Sequence, residues 1–142
     1  MEIGEESSVW YNTVLRGDVN TIRIGVRTNL QDLTVVHVEK GTHPTRIGDD
    51  VTIGHHVVIH GCTIGNRVLV GIGAVVLNGV IIEDDSFIAA GTLLIPGTRV
   101  PSGSMVMGTP GKVKRPLTDA ERAGLLTSAA GYVLNAKLHR GG

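Results

Sequence analysis

The aliphatic residues of this chain recur at every sixth position. From Ile47 to Val106 this spacing is interrupted once, between Ile59 and Ile64, where one residue is dropped. A helix would bring apolar residues back after three and four positions, and an amphipathic strand after two. A return at six, with a small or β-branched residue four places later, is typical of the hexapeptide repeat of a parallel β-helix. The sequence therefore predicts an all-β solenoid over residues 1–108.

The same spacing begins near the N-terminus, so whole coils can be assigned. Three hexapeptides make one triangular coil, which places the coils at 3–20, 24–41, 47–63, 64–81 and 82–99, followed by a partial sixth. The break at 39–46 contains Gly41 and Pro44 and predicts a loop extruded from a corner. Because the chain opens inside a repeat, at Ile3-Gly4, we expect either a shortened chain or another surface that covers this end.

A different pattern follows the last repeat. Residues 109–117 are predicted to be a connector, and residues 118–140 a C-terminal α-helix within the same single domain. Thr118 and Glu121 have the spacing of a capping box, and the apolar residues from Leu125 to Leu138 return at helical intervals. We expect this helix to pack along the solenoid or on a neighbouring subunit.

Charge and cysteine content exclude several classes of function. Thirteen basic and thirteen acidic side chains cancel, so no nucleic-acid or membrane partner is predicted. No apolar run is long enough for a membrane span. The single cysteine, Cys62, excludes an internal disulfide and fits a reducing compartment, which predicts a cytoplasmic location. Its thiol is interpreted as a small buried hydrophobe and not as a metal ligand.

The repeat also aligns certain histidines. Arg16, His37 and His60 each follow the third aliphatic residue of a coil, so they occupy equivalent outward positions on successive coils. Stacked coils lie about 4.8 Å apart. His37 and His60 are therefore expected to be neighbours, close enough to bind one ion with Zn–N distances of about 2.1 Å.

His55 belongs to another face of its coil. Five extended residues, roughly 16 Å of chain, separate it from His60, so it is not expected to join the pair within one chain. Three solenoids packed around a threefold axis would bring His55 of one subunit to His37 and His60 of the next. Three histidines with one open position are typical of a catalytic metal site. His43, His56 and His139 are interpreted as surface residues, with a proton shuttle as the alternative for His43.

Three groups of residues resemble the γ-class carbonic anhydrases: Arg16-Gly17-Asp18; Asn29-Leu30-Gln31-Asp32 followed by Val35-Val36-His37; and Gly54-His55 followed by His60-Gly61-Cys62. The resemblance covers nearly the whole chain. It implies a left-handed β-helix and a homotrimer with a metal shared between subunits, held by His37, His55 and His60. Zn²⁺ is the implied ion, with Fe²⁺ or Co²⁺ as alternatives. The implied reaction interconverts CO₂ and bicarbonate by means of a metal-bound hydroxide.

The resemblance also implies roles for further residues. Gln31 and Asn29 would orient the metal-bound water or bicarbonate. Arg16, Asp18 and Asp32 would form a charged network between subunits near the substrate, or only an interfacial ion-pair network.

Tyr132 matches the helix tyrosine that contacts the site in this family.

Two departures from the family pattern concern proton transfer. Val19 stands where the archaeal prototype has a glutamate, and the acidic shuttle loop has no clear counterpart between His37 and His55. These departures predict slow proton export.

Other functions remain open at this point. The same metal hydroxide would hydrolyse a thioester or small ester, as in some bacterial proteins that resemble this family. A non-catalytic bicarbonate-binding or assembly module, similar to related subunits of respiratory complexes, is a further alternative, as is a purely structural metal. Hexapeptide acyltransferases share the scaffold but generally use one general-base histidine with acyl-CoA, and three converging histidines disfavour that mechanism.

Overall fold

The computed structural model describes residues 1–141, which form a parallel β-solenoid followed by a single C-terminal helix. Successive strands are assigned in turn to three sheets, here called sheets A, B and C. The helix, α1, spans Asp119–Gly141. The predicted fold class is confirmed.

Sheet A contains six strands, in spatial order β1 (Glu2–Ile3), β4 (Ile22–Ile24), β7 (Thr45–Ile47), β10 (Thr63–Ile64), β13 (Ile81–Ile82) and β16 (Arg99–Val100). Sheet B contains seven, in spatial order β18 (Gly111–Pro116), β17 (Ser104–Gly108), β14 (Phe87–Ile88), β11 (Leu69–Val70), β8 (Thr52–Ile53), β5 (Asn29–Leu30) and β2 (Ser8–Val9). Sheet C contains five, in spatial order β15 (Leu93–Leu94), β12 (Val75–Val76), β9 (Val58–His60), β6 (Val35–His37) and β3 (Val14–Leu15).

The hexapeptide aliphatics stack on one another from coil to coil. Ile24 pairs with Ile47, and Ile47 pairs with Ile64, so the residue dropped after Ile59 does not disturb the register. The corresponding residues of the later coils are also buried and form one continuous core. Burial of this aliphatic stack is what stabilises a fold with only four aromatic residues.

One corner of the solenoid carries alternating charges. Its stacked residues have left-handed backbone (φ between 50° and 60°) and alternate in sign, in the order Glu6, Arg27, Asp50, Arg67 and Asp85. The Arg27 Nε–Asp50 Oδ1 and Arg67 Nε–Asp85 Oδ1 distances are both 2.7 Å. We call these five residues the charge ladder. Ion pairs of this kind, open to solvent or only partly buried, contribute little to stability.

The segment expected to be a connector contains a strand. After a turn at Thr109-Pro110, β18 runs antiparallel to β17, the last strand of the solenoid in sheet B. Without β18, the edge of β17 would expose unpaired backbone groups. β18 pairs along this edge and supplies their hydrogen-bond partners.

Helix α1 runs back along sheet B of its own chain. Leu125 and Ala129 are buried, and Leu125 packs with Met105 and Leu117 over the last coils. The hydroxyls of Ser128 and Thr52 lie 3.1 Å apart. The helix therefore covers sheet B and leaves sheets A and C without a helical cover. Among residues 1–141, no helix combines the length and the apolar character that crossing a bilayer requires.

The predicted capping box starts the helix. Thr118 N donates to Glu121 Oε1 at 2.9 Å, and Glu121 N donates to Thr118 Oγ1 at 3.1 Å. Arg115 donates to both carboxylate oxygens of Glu121, at 2.6 and 2.9 Å. The Arg115 hydrogen bonds, and then the Thr118 backbone, lower the pKa of Glu121 from 4.5 to about 2.

This pKa predicts an acid-dependent contribution to stability. Because the folded-state pKa lies below the unfolded one, the contribution is present above the unfolded pKa of 4.5 and is lost as the pH falls towards about 2. We expect Glu121→Gln to melt at a lower temperature than the natural protein at neutral pH. The difference should shrink progressively below pH 4.5. Thermal unfolding curves of both proteins across this range test it, and a difference independent of pH would contradict the assignment.

Candidate metal site at a subunit surface

His37 and His60 end neighbouring strands of sheet C and pair directly in register. The Nδ1 atom of His37 lies 3.1 Å from Nε2 of His60, and the ring centroids are 5.0 Å apart. The two rings therefore meet at the outer surface of the solenoid, as the repeat spacing predicts.

Oxygen acceptors face the outer nitrogen of each ring. His37 Nε2 lies 3.0 Å from Asp18 Oδ1, and His60 Nδ1 lies 2.6 Å from Asn78 Oδ1. Arg16 Nη1 donates to the other oxygen of Asp18 at 2.5 Å. The His37 hydrogen bond, with a further contribution from Arg16, holds the pKa of Asp18 below its usual range. Asp18 is thus an ionised acceptor at one side of the pair. We call His37, His60, Asp18 and Arg16 the histidine-pair cluster.

This arrangement fits a metal ion. With the ring protons of His37 and His60 on the outer nitrogens, the inner nitrogens present two lone pairs to each other across 3.1 Å. Two nitrogen ligands of a tetrahedral zinc ion with bonds of about 2.1 Å lie about 3.4 Å apart. Imidazole nitrogen suits zinc and iron alike, so the donor set alone does not select one of them. A catalytic site of this kind needs a third protein ligand.

His55 lies on the corner between sheets B and C, two residues after β8. Its Nδ1 is 3.3 Å from Asp32 Oδ1, and its side chain is 47% exposed. Burial raises the pKa of Tyr132, and the negative charge of Asp32 raises it further. Tyr132 also packs edge-on against Trp10, with centroids 5.6 Å apart.

Gln31 and Asn29 are buried beside this corner. Gln31 Nε2 donates to Asn29 Oδ1 at 3.0 Å, and Asn29 Nδ2 donates to Val51 O and Thr52 Oγ1, both at 3.3 Å. Gln31 directly precedes Asp32 in the chain. The second group of predicted residues, here called the His55 cluster, is therefore His55, Asp32, Tyr132, Gln31 and Asn29.

The nine predicted site residues fall into these two clusters. Within one chain Arg16 pairs with Asp18, and Asp32 pairs with His55, so the charged network expected between subunits stays a prediction. Within residues 1–141, no group of three or more His, Cys, Asp or Glu side chains is arranged to hold a metal ion. A site with all three histidines would need the His55 cluster of one chain beside the histidine-pair cluster of another.

The sequence reasoning did not single out Asn78 or Glu39. Asn78 Nδ2 donates to Glu39 Oε2 at 3.2 Å while its oxygen faces His60. Val76 pairs with Ile59, so Asn78 stands one coil beyond Gly61. Carrying the repeat spacing one coil further leads to Leu77, the equivalent of His60, and so misses Asn78, which comes one residue later. Glu39 comes from the loop, which the spacing does not describe.

Two other side chains were also assigned from the sequence. Burial raises the pKa of Cys62 to about 12, so the thiol stays protonated, in agreement with its interpretation as a buried hydrophobe. His139 is exposed, in agreement with its interpretation as a surface residue, and it also packs against Trp10 and contacts the Tyr11 hydroxyl. The reason is that α1 returns as far as the first coil.

Comparison with known proteins identifies the repeat and its relatives. The family described as bacterial transferase hexapeptide (six repeats) matches residues 61–96, and the hexapeptide repeat of succinyl-transferase matches residues 44–77. Gamma carbonic anhydrase 1, mitochondrial, of Arabidopsis thaliana is 47% identical over 98% of this chain and 52% of its own length. A probable carbonic anhydrase of Methanocaldococcus jannaschii is 50% identical over 92% of this chain and 82% of its own.

The chain belongs to the γ-class carbonic anhydrase family. A solved hexapeptide transferase family protein from Anaplasma phagocytophilum superimposes on this γ-class chain with a TM-score of 0.91 at 44% identity, covering 95% of this chain and 79% of that one. The γ-class chain spans about half the length of its Arabidopsis relatives. Those relatives are named mitochondrial, and the cytoplasmic location of this chain stays a prediction.

Proposed function

We propose that this protein is a metal-dependent carbonic anhydrase that interconverts CO₂ and bicarbonate as a homotrimer. His37 and His60 of one subunit and His55 of the next would hold the ion, Zn²⁺ or alternatively Fe²⁺ or Co²⁺. The observation that carries the proposal is the facing pair of inner nitrogens of His37 and His60, 3.1 Å apart, with acceptors on both outer nitrogens. Such a pair is two thirds of a three-histidine site.

The outer face of sheet C supports a trimer. Apart from His37 and His60, the residues that point outward from its strands are aliphatic: Val14, Val35, Val58, Val75 and Leu93. The equivalent positions of sheet A carry mainly charged or polar residues, and α1 covers those of sheet B. An uncovered aliphatic sheet face is typical of a protein–protein contact. The histidine-pair cluster lies along this face, so a second copy seated there would bring its own side chains to His37 and His60.

A charge placed on this face should dissociate the trimer. Val35, on sheet C, is 40% exposed in the single chain, and Ile81, on sheet A, is 37% exposed. We expect Val35→Glu to reduce the sedimentation mass from three chains to one, because burying an unpaired carboxylate in an interface is strongly unfavourable. Ile81→Glu is the matched control and should stay trimeric. A trimeric Val35→Glu protein would contradict the assignment of sheet C to the interface.

The neighbouring side chains would then have distinct roles. A bound ion supplies Lewis-acid chemistry that makes water acidic enough to act as a nucleophile near neutral pH. Asp18 holds the ring of His37, and Asp32 lies 3.3 Å from Nδ1 of His55, which leaves the other His55 nitrogen for the shared site. The Arg16 guanidinium provides positive charge that attracts bicarbonate.

Gln31, fixed by Asn29, would orient CO₂ or bicarbonate beside Asp32. Tyr132, whose pKa is raised by burial and then by the charge of Asp32, would border the substrate. The side chain of Val19, 43% exposed, stands where the archaeal prototype has a glutamate, so the proton would leave without a carboxylate relay at that position. This feature favours slow turnover. It also favours the second candidate function, a bicarbonate-binding module without turnover.

A stopped-flow CO₂ hydration assay on the metal-reconstituted trimer tests the proposal, with Zn²⁺, Fe²⁺ and Co²⁺ loaded separately. A panel of thioesters, including acetyl-CoA, is assayed beside it. We expect metal-dependent CO₂ hydration and no hydrolysis or acyl transfer. Thioester turnover without CO₂ hydration would mean that the protein is a thioester hydrolase and not a carbonic anhydrase. Tight bicarbonate binding without turnover would mean that its role is non-catalytic.

A further inference from the structure

A chain of hydrogen bonds connects the loop after β6 to His60. Glu39 N donates to His43 O at 2.9 Å, and Asn20 Nδ2 donates to Glu39 O at 3.0 Å. Both the backbone amide and the backbone carbonyl of Glu39 are therefore hydrogen-bonded. The Glu39 carboxylate accepts from Asn78 Nδ2 at 3.2 Å, and Asn78 Oδ1 lies 2.6 Å from His60 Nδ1. The loop that leaves the solenoid at this corner therefore reaches back to the edge of the histidine pair.

The chemistry of these groups fixes the direction of each bond. An ionised carboxylate has only acceptors, so Glu39 requires the amide nitrogen of Asn78 on its side. The amide oxygen then faces His60, and an oxygen there requires a proton on His60 Nδ1. In a neutral imidazole the other nitrogen, Nε2, is then bare, and this is the atom that lies 3.1 Å from His37.

We propose that Asn78 is a positioning residue that, oriented by Glu39, fixes His60 in the tautomer with the proton on Nδ1. The inference rests on the proposed function in one respect, since it takes Nε2 of His60 as a metal ligand. Hydrogen bonds of this type to ligating histidines orient the ring and raise its basicity. Without the Asn78 oxygen, either nitrogen of His60 can carry the proton, and a fraction of sites would present an N–H to the ion.

The tautomer can be measured without metal. In nitrogen–proton NMR spectra of the metal-free trimer, at a pH where His60 is neutral, we expect the natural protein to show the Nδ1–H form. Asn78→Ala should show a mixture with the Nε2–H form, and its Zn²⁺ affinity by isothermal titration should fall about 10- to 100-fold. Asn78→Asp combined with Glu39→Gln keeps an oxygen at the same place without setting two carboxylates against each other, and it should retain the tautomer and most of the affinity.

Glu39→Gln and Asn135→Ala complete the series. A glutamine at position 39 offers donors as well as an acceptor, so the Asn78 amide is less firmly oriented, and a smaller loss in the same direction is expected. Asn135, exposed on α1, is the matched control and should leave tautomer and affinity unchanged. Alanine and aspartate are no larger than asparagine, which suits the close packing of Asn78 Oδ1 over Gly61.

Two results would overturn the inference. One is an Asn78→Ala protein, trimeric and folded, with the natural tautomer and affinity. The other is an Asn78→Asp, Glu39→Gln double variant no better than Asn78→Ala. If the tautomer responds as expected but His37→Ala and His60→Ala bind Zn²⁺ as tightly as the natural protein, the role of Asn78 on the ring is upheld. The proposed metal site is then the part that fails.

Discussion

Trimers carrying His37→Ala or His60→Ala are expected to bind essentially no stoichiometric metal and to hydrate CO₂ at the uncatalysed background rate. Each substitution removes one of the two inner nitrogens that face each other across 3.1 Å. The solenoid should persist, because the adjacent inward residues, Val36 and Ile59, keep the aliphatic core complete. Metal analysis and circular dichroism on the purified proteins measure the two effects separately.

His56→Ala is the matched control for this experiment. His56 is exposed, adjoins His55 and belongs to neither cluster, so its replacement should leave metal content and hydration rate unchanged. If His37→Ala or His60→Ala instead unfolds the solenoid, the metal is structural and the enzymatic assignment loses its main support.

Mixing two inactive variants is expected to restore part of the metal content. In His55→Ala trimers every site lacks the single histidine that one subunit donates. In His37→Ala trimers every site lacks His37, one of the two histidines that the other subunit donates. When both chains enter one trimer, cyclic order creates an interface where an intact His55 meets intact His37 and His60. Random assembly from equal amounts should restore about one quarter of the sites. Co-refolding followed by measurement of bound metal and CO₂ hydration tests this.

Native mass spectrometry provides the control, since it counts trimers that contain both chains. The same mixing done with His37→Ala and His60→Ala should restore nothing, because both changes damage the same side of every site. Mixed trimers without recovered metal in the first experiment would mean that the three histidines do not act across an interface.

Much of this molecule could be predicted because a solenoid keeps spatial position proportional to sequence position. The stacking of Ile24, Ile47 and Ile64 follows directly from the spacing, even across the dropped residue. The pairing of His37 with His60 follows from the same rule. The motifs that resemble the γ class then identified Gln31, Asp32 and Tyr132 as candidate site residues. The six-residue spacing alone does not distinguish these three from other residues outside the core.

What the spacing did not predict lies where the chain departs from the repeat. The loop that carries Glu39 is bound back to the coil by hydrogen bonds to Asn20 and Asn78, and no periodicity describes such a return. The strand β18 pairs with an edge that exists only at the last coil. The contact of His139 with Trp10 depends on the length and direction of α1. All three are tertiary contacts outside the repeat.

The charge ladder limits how a solenoid of this kind can grow by internal duplication. Copying a single coil, such as the one that contributes Arg27, would set two arginines next to each other in the stack. Copying two consecutive coils together would keep the alternation of sign intact. Since solvent-screened ion pairs are weak, the preference is mild for one event. Repeated over many duplications, it favours descendants that lengthen or shorten by pairs of coils.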